Sequence, residues 1–243
     1  MSPIQAVLRG ELIPPTRSKA LAVVGASLTL TEAARRIARW GMDLGGKNWD
    51  CRFTRMDKLG WQILLPDPAL SLRAMLLLQA RLLAAPDRFG SRIVIGLGRV
   101  DYVGPKTLSS ASGPAFDAAS LAMERLGKLS RVAVAGLNEP SLPQAVLDLA
   151  DQIARGWSME QAEAMSMALP PDNPTLDTLS KRLGISKQAV GYRLTGAGLR
   201  PIRAALAGWE RSITSSFPAH TSALNAHLPT TAASRLGIAP QSA

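Results

Sequence analysis

Asp57 stands in the bend of "RFTRMDKLGWQILLPDP" (52–68), between Arg55 and Lys58. The stretch reads as two short strands with a tight turn. A carboxylate placed there is either a solvated turn acid or one half of a metal site. A second chemistry-bearing stretch is "LDTLSKRLGISKQAVGYRL" (176–194). Its spacing leaves Lys187, Gln188, Gly191, Tyr192 and Arg193 facing outward near the start of a helix. Such side chains donate to phosphates and to base edges in a DNA major groove. Lys181, Arg182, Arg200 and Arg203 flank them and would neutralise backbone phosphates. Other chemistries lack their residues. Cys51 is the one cysteine, and His220 and His227 both fall in the C-terminal tail. A thiol–imidazole nucleophile and a zinc centre are therefore not expected, nor is an intramolecular disulfide.

The elements that must carry the basic set follow from pattern. Leu176, Leu179 and Leu183 would form the inner face of one helix, and Gly184 would take a tight turn. Ile185 would plug the space between helices, Ser186 would cap the second, and Val190 and Leu194 would bury its inner face. This is the order of a helix-turn-helix. One such module offers a modest interface, so a homodimer reading two half-sites of double-stranded DNA is expected.

Upstream, strands are expected over 3–13, near 50–55 and 60–65, over 91–101 and over 131–136. Helices are expected over 31–45 with Thr31 as N-cap and Gly45–Gly46 as the stop, after an Asp67 cap, and over 113–127. The order β-α-β-β-α-β-α-β implies an α+β domain, ferredoxin-like, with helices on one face of its sheet. After Pro143 the chain turns helical. The expected division is an α+β domain at 1–140, a helical connector at 141–170, the helix-turn-helix region at 171–217 and a poorly ordered tail at 218–243. The glycines of "GLGRV" read as close-packing positions or as a weak phosphate signal, and Trp61 and Phe116 as core.

The chain of 243 residues carries a net charge of +10, which favours a polyanionic partner. Residues 171–243 hold eight Lys/Arg against three Asp/Glu, and residues 1–170 hold twenty against fifteen. Each part is thus +5, and the C-terminal part is the denser in charge. The start "MSPIQAVLRGELIPPTRSK" lacks the order of a signal peptide, and charges interrupt the apolar runs. A cytoplasmic location without a membrane span is the expectation.

Three stretches resemble the SatD family. "VLRGELIPPTR" (7–17) is similar to that family's "GDIVGSR"-type opening, and "RMDKLGWQILLPDP" (55–68) to its "RGDxxQ" stretch with a following "DP". "RIVIGLGRV" with "SGPAFDAASLAME" (92–100, 112–124) is similar to its "RIGIGxGEI…DGxAFxxAR" stretch. The resemblance spans about 4–210 and implies a nucleotide cyclase-like or GGDEF-like N-terminal domain followed by a helix-turn-helix. In such domains two acids hold divalent metals, commonly Mg²⁺, on a nucleotide triphosphate. The matching positions are Glu11 and Asp57. This chain departs from the pattern: Glu11 replaces an Asp, Met56 replaces a Gly, and Lys58–Leu59 lengthen the bend. The leading expectation is therefore a transcriptional regulator whose cyclase-like domain is degenerate and dimerises or senses a ligand. The second is a metal-dependent nucleotide cyclase or nucleotidyltransferase acting at Glu11 and Asp57. The third is an interaction module that docks RNA polymerase or another protein, with Met159, Met165 and Met167 as adaptable contacts.

Overall fold

The computed structural model describes residues 4–16, 18–44, 49–127 and 129–217. The expected Gly45–Gly46 stop and the tail from 218, with His220 and His227, lie outside the described residues. The class is α+β, with a five-stranded mixed sheet and eight α-helices among those residues. In chain order they are β1 (Ile4–Ile13), α1 (Ala20–Asp43), β2 (Arg52–Arg55), β3 (Gly60–Leu65), α2 (Ser71–Ala84), β4 (Gly90–Arg99), α3 (Pro114–Arg125) and β5 (Val132–Ala135). Five helices complete the chain: α4 (Ser141–Arg155), α5 (Met159–Ala168), α6 (Leu176–Leu183), α7 (Lys187–Gly196) and α8 (Leu199–Ser216).

The sheet order is β2-β3-β1-β4-β5. All neighbours are antiparallel except β4 and β5, which are parallel across the α3 crossover. β1 lies in the middle, its Gly10 opposite Trp61 of β3 and Ile93 of β4. Both edge strands are tied to neighbouring segments. On β5, Gln144 accepts from the Val134 amide and donates to the Val132 carbonyl. On β2, Thr54 accepts from the Leu108 amide.

Two sequence-based expectations need correction. Helices do not sit on one face only. Ala6, Leu8, Ile63, Leu65, Ile93 and Ile95 share one core with the helices α1 and α2, whereas Val7, Leu64 and Val94 pack on Ala115, Phe116 and Ala119 of α3. Alternate residues of a strand point to opposite faces, so a central strand that is apolar at every position must be covered on both. The second correction concerns α1, which begins at Ala20 rather than at Thr31. Thr31 lies inside it and donates to the Ser27 carbonyl. The added stretch, ALAVVGASLTL (20–30), is rich in Ala and Leu, which favour helix. Burial of Val23, Ala26, Ser27 and Leu30 on one side of it supports the same conformation.

The C-terminal helices share the larger core with the sheet. Leu179, Val190, Leu194, Ile202, Leu206, Trp209 and Ile213 belong to the same contiguous cluster as Leu8 and Ile95. Polar ties reinforce the junction of α2 with α8. Arg73 meets Glu210 at 2.7 Å and donates to the Leu169 carbonyl, and the Trp209 indole donates to Ser71. None of the helices among the described residues is long and apolar enough to cross a membrane.

Candidate nucleic-acid interface and two-acid pocket

α6 and α7 are joined by three residues. Gly184 is left-handed at φ 66°, the conformation in which a Cβ is strained, and its amide reaches back to the Ser180 carbonyl. The Ser180 hydroxyl then holds the Ile185 carbonyl at 2.6 Å, which closes the turn from below. Ser186 caps α7 by accepting from the Ala189 amide at 3.1 Å, and Thr175 caps α6 through Thr178. Leu179, Val190 and Leu194 are buried as the spacing requires. Leu176 is not: it is 47% exposed at the first position of α6, where no following turn covers it.

The outward face of α7 carries Lys187, Gln188 and Tyr192, with Tyr192 70% exposed. Gln188 and Tyr192, one turn apart, meet through an Nε2–OH contact of 3.1 Å. Lys187 and Lys181 both reach Asp177 at 2.8 Å. Those two cations hold the Asp177 carboxyl below its usual range. The pairs lie in solvent, where such contacts are weak, so the lysines can exchange Asp177 for a phosphate. Arg193 departs from the expected outward position. It is half-buried and donates to Glu163 of α5 at 3.0 Å, so it ties α7 to the body of the molecule. Arg182, Arg200 and Arg203 carry no ion pair among the described residues.

Sequence spacing misses one feature of this surface. Arg182 of α6 shares a cavity of about 520 Å³ with Arg36 and Arg39 of α1. Burial, followed by the charges of Arg81 and Arg182, pushes the Arg36 guanidinium down from its ordinary value. α1 thus places two arginines beside α6, partly offset by Asp43 and Asp172 in the same cavity, although some 140 residues of sequence separate the two helices.

The two acids also come together. Glu11 sits opposite Gly60 in the β1–β3 register, and Glu11 and Asp57 line one cavity of about 230 Å³ with Arg9, Met56 and Met123. The cations beside Asp57 are not its main partners. Its Oδ1 accepts from the Leu59 amide at 2.8 Å and the Gly60 amide at 2.7 Å. These amides, Gly60 first, hold the carboxyl below its usual range, with smaller help from Arg9 and Arg55. Glu11 leans toward Arg92 at 3.8 Å. Hard divalent cations need several free oxygens. Here one acid is spent on its own turn, Arg9 enters the cavity, and two thioethers line the rest. This donor set does not fit a pair of metal ions, and among the described residues three or more His, Cys, Asp or Glu nowhere cluster to hold one.

The remaining candidates are structural. Gly96 and Gly98 of "GLGRV" let β4 touch α3: a Cβ at Gly96 would lie 2.3 Å from the Ala115 carbonyl oxygen. Trp61 and Phe116 are core. Burial, with Asp50 adding, pushes the Cys51 thiol up to about 12, which makes it a poor nucleophile. Comparison of the chain with protein-family models, curated proteins and solved structures returns no match.

Proposed function

We propose that the chain is a sequence-specific DNA-binding transcriptional regulator, with α6 and α7 as a helix-turn-helix and α7 as its recognition helix. One observation carries this reading: a capped α7, set off by a left-handed glycine, buries Val190 and Leu194 while exposing Lys187, Gln188 and Tyr192. Gln188 suits an adenine edge, and Lys187 suits guanine or phosphate. Lys181, Arg182, Arg200 and Arg203 supply phosphate contacts, which position the helix without reading sequence. The net charge of +10 supports a polyanionic partner. A homodimer would double the small interface.

The sheet domain is, in this reading, a ferredoxin-like, cyclase-like scaffold that dimerises or senses a ligand. Its strand order agrees with that scaffold, as does the resemblance to the SatD family. Catalysis at Glu11 and Asp57 is disfavoured because Asp57 Oδ1 is already committed to two backbone amides and Arg9, Met56 and Met123 line the same cavity.

The test is to sequence genomic fragments retained by the purified chain, then measure duplex binding of a Lys187→Ala/Gln188→Ala/Tyr192→Ala variant. Loss of about 1–3 kcal/mol per base-reading contact is expected, with the fold unchanged by circular dichroism. A variant that keeps the wild-type affinity for the selected duplexes and the wild-type preference for them over random duplexes would sink the assignment.

A further inference from the structure

A cavity of about 450 Å³ opens at the C-terminal end of β1 and shares no lining residue with the two-acid pocket or with α7. It lies between the start of β4 and the helices α2 and α4, and its size is that of small-molecule sites. Three kinds of group meet in it. The first is a buried acceptor without a donor. Gln79 gives its Nε2 to Asp151 at 2.6 Å, while its Oε1 is buried and unpartnered. An unsatisfied buried acceptor is costly and favours any donor that can reach it, water or a ligand group. The second is Asp151, which is buried and already engaged by Gln79 and by Arg155 Nε at 3.1 Å. Burial raises its pKa, with the Gln79 hydrogen bond opposing. The third is a pair of guanidiniums, Arg88 and Arg131.

The lining holds three arginines against one acid, Asp151, and so carries an excess of positive charge, although Arg131 also lies in the field of Asp151 and Arg88 in that of Glu160. Arg131 makes no side-chain hydrogen bond or ion pair among the described residues. Arg88 donates only to the neutral Trp157 carbonyl at 2.9 Å. It does so from a left-handed backbone, φ 45°, an unfavourable state for a long side chain. Two neighbouring guanidiniums match a dianion, and planar forked donors suit phosphate oxygens. The orphan Gln79 oxygen adds a requirement for an N–H or O–H nearby.

We propose that this cavity binds a small phosphate monoester that also carries a hydroxyl or amino donor, with Arg88 and Arg131 on the phosphate and Gln79 Oε1 on the donor. The site goes beyond the DNA-binding reading and does not depend on it. A physical route to α7 nevertheless exists: Trp157, whose carbonyl receives Arg88, donates its indole N–H at 2.7 Å to the carbonyl of Ala197, the C-cap of α7.

Calorimetry on the full chain without DNA would test it, using inorganic phosphate, adenosine monophosphate, glucose 6-phosphate, adenosine and citrate as probes. Saturable binding of at least one monoester is expected, tighter than inorganic phosphate, with none for adenosine. Arg131→Gln and Arg88→Gln should each weaken it about tenfold or more; Arg131→Gln should leave the melting temperature and duplex binding unchanged, whereas Arg88→Gln also loses its bond to the Trp157 carbonyl and should lower the melting temperature. Gln79→Leu should abolish the preference for the ester over inorganic phosphate. If Gln79→Leu does not fold, the arginine variants still decide. Absence of saturable binding by all three phosphates overturns the proposal, as does binding indifferent to Arg131→Gln. Citrate binding as tight as the best phosphate overturns the phosphate assignment. Failure of the DNA-binding reading would leave these titrations untouched.

Discussion

Asp57 shows how a single residue changes meaning once its partners are known. Between Arg55 and Lys58 it resembles an ion-paired acid, yet two backbone amides hold its Oδ1. It is therefore the clasp of the β2–β3 turn. Asp57→Ala should loosen the hairpin and lower stability by about 1 kcal/mol, read as a lower urea midpoint. The pH dependence has a defined sign. The folded-state pKa lies below the unfolded one, so the stabilisation is complete above the unfolded value and is lost as pH falls through the folded value. Wild-type stability should step down below about pH 4, and Asp57→Asn, which keeps an acceptor without the charge, should lack that step. An Asp57→Asn variant with an unaltered acid slope would show that the amides do not hold a carboxylate. Much of the basic set was readable from sequence in the same way, since Ser186, Lys187, Gln188 and Tyr192 follow from helical spacing alone. Arg193 was not, because its partner Glu163 lies on another helix, 30 residues upstream.

At the scale of elements, glycines separate contacts from mere flexibility. Gly96 is where β4 meets the α3 backbone, with the Ala115 oxygen and the Ala119 nitrogen at 2.3 and 2.6 Å from a built Cβ. Gly96→Val should push α3 off the sheet and cost about 3 kcal/mol or more, visible as a large fall in the melting temperature. Gly25, exposed on α1 with nothing within 4 Å, is the control: Gly25→Ala should stabilise by up to about 1 kcal/mol. Similar melting temperatures for both variants would remove the packing role from Gly96. The early start of α1 belongs to this scale too. Its first turns are rich in Ala and Leu, and they bury Val23, Ala26, Ser27 and Leu30 on one side.

For the whole molecule, the decisive contact is the pair Arg73–Glu210, nearly buried and 137 residues apart in sequence. Removing one partner of a buried pair strands the other charge. Glu210→Ala should therefore cost about 3–5 kcal/mol, measured by urea unfolding, and should broaden the single transition that a shared core implies. A cost below about 1 kcal/mol would mean that α8 is not docked on α2 in solution. Because Trp209 and Ile213 complete the same core as Leu8 and Ile95, α7 is fixed relative to the sheet, and a ligand at one can be felt at the other.

Local pattern alone determined the α+β class, the strand and helix order, the α6–α7 unit and its cap, because these depend on residue spacing and on backbone preferences within a few positions. Tertiary structure alone decided which face α3 covers, that Arg36 and Arg39 stand beside Arg182, that Asp57 is spent on its own turn, and that Gln79, Arg88, Arg131 and Asp151 share one cavity. Each of those depends on which distant elements a common core brings together, and hydrophobic periodicity marks a buried face without naming its partner.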